Sequence, residues 1–323
     1  MRRAQAAAAA VAAAVLFAAA PAPAQDYPTR SITLVVPFPA GGGNDALARI
    51  VAEKMSKSLG QQVVVENRGG AGGTIATRAV AKSAPDGYTL VLSYTGTFAI
   101  NPTLYPNAGY DPRKDFAPIG PIASLPSILV VHPSVPVRST TELISYAKAN
   151  PGKVNYAFVP GTVGHISTEM FARTAGIALT NVPYKGNGNA IADLLGGHVQ
   201  MMFLSVLPVA GNVRNGTLRG LAVTSAARSR LVPDVPAISE AGLPGFSADI
   251  YYGLAAPAGT PRSIIQRLNG DLRLAVAADD ANHRLVSQGA VPLSSTPEEY
   301  AADIDADEKK WSALVKSLNL KFE

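Results

Sequence analysis

The stretch "ITLVVPFPAGGGNDALARIVAEKM", residues 32–55, decides the fold. It opens as an apolar run rich in β-branched residues, breaks at Pro37 and Pro39, and passes three glycines. It then resumes with apolar residues at helical spacing. Leu47, Ile50, Val51, Met55 and Leu59 share one helix face, while Arg49, Glu53, Lys54 and Lys57 lie off it. Strand, glycine turn and helix form the unit of an α/β protein with largely parallel sheets.

The same alternation continues outward from this stretch. "QQVVVE", "GYTLVLSY" and "SILVVHP" read as strands, followed by a helix that Ser139 and Glu142 open as a capping box and Pro151-Gly152 closes. Val154 to Val159, "VQMMFLSV", "RGLAVTS" and "ADIYYGLAAP" continue the strands. Beyond them the chain turns helical. Thr260-Pro261 is expected as N-cap and first residue of one helix, Asp279 starts another, and Thr296 with Glu299 boxes a third that carries Trp311. Loops rich in Pro and Gly are expected near 101–126 and 232–246. A chain leaving one lobe near 125 and returning near 245 would build two lobes joined by two crossings; a single doubly wound sheet is the other arrangement open to this pattern.

Gly41, Gly43 and Ala46 spell G-x-G-x-x-A, a dinucleotide fingerprint, and Glu66 ends the second strand where a ribose partner belongs. Pro37 and Pro39 spoil the tight strand-to-helix turn that a pyrophosphate needs. Asp45 adds a carboxylate where the first helical amides converge. A Walker loop fails because no Gly-Lys-Ser/Thr follows. A smaller anion suits the turn better: Gly41, Gly42 and Gly43 leave backbone N–H groups free to point inward, Asn44 or Asp45 caps the helix, and Asp45 ties down the loop.

"VNYAFVPGTVGHISTEMF", residues 154–171, repeats the scheme about 120 residues on. Pro160 breaks the strand, and Gly161, Thr162, Val163, Gly164 and His165 lead into a helix. Two such turns in separate halves are placed to face one another beyond the carboxyl ends of their strands, where α/β sheets bind ligands. His165 reads either as a donor to the anion or as a packing residue of the turn.

Other chemistry finds little to build on. The chain has 323 residues and no cysteine. His132, His198 and His283 stand far apart with no carboxylate at metal-ligand spacing, so no metal or cofactor is expected. G-x-S-x-G and H-E-x-x-H are absent, and the acidic run over 303–308 reads as a solvated helix face. Met1, Arg2 and Arg3, an uncharged alanine-rich middle and Ala22-Pro23-Ala24 describe a secretory signal peptide over 1–24. Its removal takes the basic count from 28 to 26 against 23 acidic residues. With no basic run longer than a pair such as Lys309-Lys310, nucleic acid is not an expected partner. A periplasmic protein without lipid attachment is expected, acting as a monomer.

With these residues in view, the chain resembles the extracytoplasmic solute receptors of tripartite tricarboxylate transporters, the Bug or TctC type. The resemblance runs from "YPTRSITLVVPFPAGGGNDALAR" to "TPEEYAADIDADEKKW". Its most specific pieces are "VENRGGAGGTIATRAVAKSAPDGYTL", "AINPTLY", "PGTVGH", "VPYKG", "LAVTSAARS", "VPDVPAISEAGLPGF" and "GLAAPAGTP". It implies a type II, Venus-flytrap fold of the periplasmic binding proteins, with lobe 1 over 25–125 and 245–323 and lobe 2 over 126–244. It also implies capture of a small organic carboxylate for the membrane components of such a transporter. Carried over, one gripping loop spans 38–45, with Phe38 and Ala40 at its entry, and the other spans 161–165. Ser93, Thr95 and Thr97 would face the same cleft, with Tyr184 and Ser205 joining from lobe 2. Leu204 stands where the family often has Asp, which, if it faces the ligand, favours a carboxylate with an apolar or second-carboxylate body over an α-amino acid. Asn181 replaces a common His. An exported α/β enzyme acting on a carboxylate, or a sensing module of a signalling system, are the alternative functions.

Overall fold

The computed structural model describes residues 27–225, 227–243, 246 and 248–320. The expected signal peptide lies outside them. Two sheets, not one, carry the chain. In the first, β1 (Ile32–Val36) lies between β2 (Val63–Asn67) and β3 (Thr89–Tyr94), parallel to both. The order is completed by β10 (Ile250–Pro257), β4 (Phe116–Leu125) and the short β11 (Val291–Pro292), all antiparallel to their neighbours. The second sheet runs β7 (Thr180–Pro183), β6 (Asn155–Phe158), β8 (Met201–Ser205), β5 (Ser127–Val131), β9 (Arg219–Val223).

β4 falls inside the segment expected to be a Pro/Gly loop. Proline cannot donate to a ladder and is tolerated in a strand only where the pairing is irregular. Pro118 and Pro121 each lie at a register shift against β10, one beside Leu254/Ala255 and the other beside Tyr252/Gly253. Two irregularities therefore hide a ten-residue strand from a periodicity reading.

Helices cover the sheets through the expected faces. On α1 (Gly43–Leu59), Leu47, Ile50, Val51, Met55 and Leu59 are buried. After it come α2 (Thr74–Ala81), α3 (Asn101–Leu104), α4 (Thr140–Ala149), α5 (Val163–Ala175), α6 (Asn187–Leu195) and α7 (Ala210–Arg214). The C-terminal part adds α8 (Arg262–Ala277), α9 (Asp279–Ser287) and α10 (Pro297–Ser317), with Trp311 fully buried. Thr296 and Glu299 form the full capping box of α10. At α4 only half of the expected box exists: Ser139 Oγ accepts the Glu142 N–H, but the Glu142 carboxylate takes the N–H of Arg138. α8 begins one residue later than expected, with Pro261 as N-cap and Thr260 Oγ1 donating to Pro257 O.

The chain passes from the first sheet to the second through Pro126 alone, since β4 ends at Leu125 and β5 begins at Ser127. It returns between Val223 and Ile250. Thr224 ties the two crossings: its Oγ1 accepts the Ser127 N–H at 2.9 Å and donates to Ala248 O at 3.2 Å.

Candidate functional site

The first turn leaves β1 at buried Pro37 and is braced from inside. Phe38 O accepts Asn67 Nδ2 at 3.1 Å, and Asp45 Oδ2 accepts the N–H of Gly41, a residue held at φ +86°. Asp45 is thus the tie expected of it, but it also consumes the Gly41 amide, which is therefore not offered to a ligand. Burial opposes ionisation of Asp45; hydrogen bonds from Arg49, 2.9 Å away, and from Gly41 outweigh this and hold its carboxyl below the usual range. Neither Asn44 nor Asp45 is the cap. Gly42 holds that position with no side-chain hydrogen bond, so the first amides of α1, from Gly43 and Asn44, lack an intrahelical acceptor. Ala40, Gly41 and Gly42 are exposed.

The second turn is capped differently. Thr162 Oγ1 accepts the His165 N–H at 3.3 Å and donates to Val159 O at 2.8 Å. Gly161, at φ +77°, lies so near lobe 1 that a Cβ there would stand 2.7 Å from Asn101 Oδ1. On the other side of that seam, a Cβ on Gly96 would stand 2.9 Å from Gly161 O, and one on Gly72 3.1 Å from Pro160 O. Main chain meets main chain here. Gly164 has a packing role, because a Cβ would lie 2.2 Å from Phe203 O. Of the two readings of His165, its side chain adopts packing: it is 2% exposed and stacks on Phe158 at 4.4 Å. Burial lowers its pKa to about 4, which keeps the ring neutral at neutral pH.

Tyr94 joins the two turns. Its ring meets Phe38 edge-on at 5.2 Å and Tyr252 at 5.4 Å, while its hydroxyl accepts the Val163 N–H at 3.4 Å. Tyr252 in turn shares a 2.7 Å hydrogen bond with Asn44 Oδ1, in the first turn of α1. The two glycine turns therefore lie within reach of one tyrosine. Sequence reasoning missed this residue and took its polar neighbours instead. Strand alternation held the clue: Leu90, Leu92 and Tyr94 share the face of Leu34 and Val36, and Ser93 points to the other.

The neighbours it took are spent elsewhere. Ser93 lies within β3, fully buried, with its Oγ 2.8 Å from the Tyr300 hydroxyl. Thr95 Oγ1 accepts the Tyr251 N–H at 2.8 Å, and Thr97 Oγ1 donates to Tyr94 O at 3.1 Å. Tyr184 gives its hydroxyl to Asp193 Oδ2 at 2.5 Å. Leu204 is 3% exposed and packs with Ile128, Val130 and Val182, so the ligand preference argued from it loses its footing. Ser205 ends β8 half-buried, opposite Ser127.

The acidic run on α10 is more than a solvated face. Asp305 and Glu308 pair with Arg113. Asp307, with Tyr94, Tyr251 and Tyr300, lines a cavity of about 320 Å³. Burial, with Asp303 and Asp249 nearby, raises its pKa to about 6 against the pull of Lys310 and a hydrogen bond to Thr95. Among the described residues no group of three or more His, Asp or Glu could hold a metal.

The two turns bring two helix starts within reach of one phenol, and helix starts suit a small anion. Comparison with known proteins agrees. The family model described as "Tripartite tricarboxylate transporter family receptor" matches residues 47–320. Protein BugT of Bordetella pertussis is 39% identical over 306 residues, 94% of each chain. An R. palustris protein solved with adipate superposes with a TM-score of 0.86 at 37% identity, over 92% of this chain and all of that one. MatC from Rhodopseudomonas palustris, solved with bound malate, gives 0.82 at 34% identity, over 90% of this chain and all of that one. A strand–glycine–helix turn in each half, two sheets joined by two crossings and this breadth of similarity lead to one conclusion: the chain belongs to the tripartite tricarboxylate transporter family of receptors.

Proposed function

We propose that this protein is a periplasmic receptor that captures a small organic carboxylate between the turns at 38–45 and 161–165 and delivers it to the membrane components of a tripartite transporter. Lobe 1 then comprises 25–125 with 245–323, and lobe 2 comprises 126–244. The observation that carries the reading is the reach of Tyr94, whose ring touches Phe38 of one turn while its hydroxyl holds Val163 of the other. In this reading the starts of α1 and α5 both face the anion, which gains from both dipoles. The relatives solved with adipate and malate support a carboxylate as the ligand class. Among the described residues no helix is long and apolar enough to cross a membrane, in keeping with a receptor that meets its transporter from outside.

The test is a thermal-shift screen over mono-, di- and tricarboxylates of up to six carbons, with aspartate and glutamate included. A ligand at about 100 times its Kd adds roughly 2.7 kcal/mol, a shift of several degrees for a chain of this size. Ligand recovered unchanged after incubation marks a receptor; conversion of the ligand marks an enzyme. No shift with any carboxylate sinks the reading.

A further inference from the structure

We infer that the Tyr94 hydroxyl is itself a ligand group: while it accepts the Val163 N–H, it donates its own proton to the ionised carboxylate of the bound solute. The inference rests on the receptor reading above and deepens it.

Four observations place the hydroxyl in that role. Tyr94 is 5% exposed, yet its Oη sits at the seam where the second turn approaches lobe 1. In its one hydrogen bond among the described residues, to Val163, the oxygen is the acceptor, which leaves the phenolic proton to find a partner. The ring is held in place from two sides, by Phe38 at 5.2 Å and Tyr252 at 5.4 Å, so the hydroxyl cannot swing away to water. Tyr252 is hydrogen-bonded to Asn44, which places the ring pair against the first amides of α1. Burial also raises the Tyr94 pKa to about 12, so the group stays a neutral donor wherever a carboxylate is charged.

A phenol donating to a carboxylate makes a short, charge-assisted bond, with the oxygens about 2.5–2.7 Å apart. The relay from Val163 N–H through Tyr94 O–H to the carboxylate also strengthens each link, because a phenol that accepts a hydrogen bond becomes a better donor. It links the solute's negative end to both turns at once, since Tyr94 belongs to lobe 1 and Val163 to lobe 2. A neutral amide or ester in the same place forfeits the charge assistance.

The experiment titrates adipate and malate, with the other carboxylates of the screen, into the wild-type protein and Tyr94→Phe by calorimetry. The expected result is a loss of roughly 10- to 100-fold in affinity, the worth of a hydrogen bond to a charged group; the Val163 N–H also loses its acceptor, so the unliganded variant melts lower and is titrated well below its Tm. A protein labelled with ¹³Cζ-tyrosine separates contact from mere support. The Tyr94 resonance, identified by its loss in Tyr94→Phe, should move when ligand saturates the wild type. If Tyr94→Phe binds as tightly as the wild type, or more tightly because the hydroxyl only occupied the Val163 amide, this inference is overturned and the receptor reading stands. A resonance that stays still on saturation overturns it as well. If the wild type binds no carboxylate at all, the receptor reading fails first and takes this inference with it.

Discussion

Thr224 and Ser127 meet at the waist of the molecule, the hydroxyl oxygen of the first accepting the backbone N–H of the second at 2.9 Å. Ser127 is the first residue of β5 and Thr224 follows β9 directly, so one side chain binds the outgoing crossing to the returning one. Both residues are fully buried. Thr224→Val keeps the shape and removes the acceptor, leaving a buried N–H without a partner. The cost is about 1–3 kcal/mol, read as a lower urea midpoint. An unchanged midpoint would show that water replaces the hydroxyl.

The close approach of α5 to β8 makes a sharper contrast. A methyl group at Gly164 would meet the Phe203 carbonyl at 2.2 Å, whereas one at Gly43 meets nothing within 4 Å. Gly164→Ala should lose at least about 1–3 kcal/mol through overpacking, and Gly43→Ala should be neutral or slightly stabilising. Equal stability of the two variants in chemical denaturation contradicts this packing.

His165 makes the protein acid-sensitive. Burial lowers its pKa from 6.5 to about 4 in the folded state. Between those values the unfolded chain binds the proton more readily. Stability is therefore complete above pH 6.5 and falls as pH drops toward 4, by about 3 kcal/mol at one unit per 1.36 kcal/mol. Replacing His165 with Gln should flatten this part of the stability–pH curve, at some cost in packing against Phe158. A slope that survives in the variant would assign it to other groups.

Asp307 works in the opposite direction. Its folded pKa is raised to about 6, chiefly by burial, with Asp303 and Asp249 adding repulsion and Lys310 opposing them. The folded state holds this proton longer than the unfolded chain does, so ionisation near neutrality weakens the fold. Asp307→Asn should raise Tm at pH 7.5, and the gain should vanish below about pH 3, well under the ordinary value of 3.8, where the wild-type carboxyl is protonated in both states. A lower Tm at pH 7.5 would instead make the contacts with Thr95 and Lys310 dominant.

The framework was readable because apolar periodicity and cap chemistry are local. The buried face of α1 and the Thr296–Glu299 box follow from spacing alone. β4 escaped because two prolines at register shifts mimic a loop, and only pairing with β10, far away in sequence, makes the segment a strand. At the site, both turns were found from their glycines, but the residue that joins them was not. Hydroxyls stand out in a sequence, yet Ser93, Thr95 and Thr97 spend theirs on Tyr300, the Tyr251 backbone and the Tyr94 carbonyl. Which hydroxyls remain available is a property of tertiary packing. Leu204 teaches the same lesson, since one strand position decides between core and cleft.

The bare seam of Gly72, Gly96 and Gly161 carries a consequence for how such receptors diversify. The Pro160 and Gly161 carbonyls that face this patch are indifferent to the cargo, and a methyl group added at Gly72 or Gly96 would press on them. Descendants that switch nutrients must therefore leave this patch naked and rewrite the aromatic rim around it, where Phe38 and Tyr252 stand.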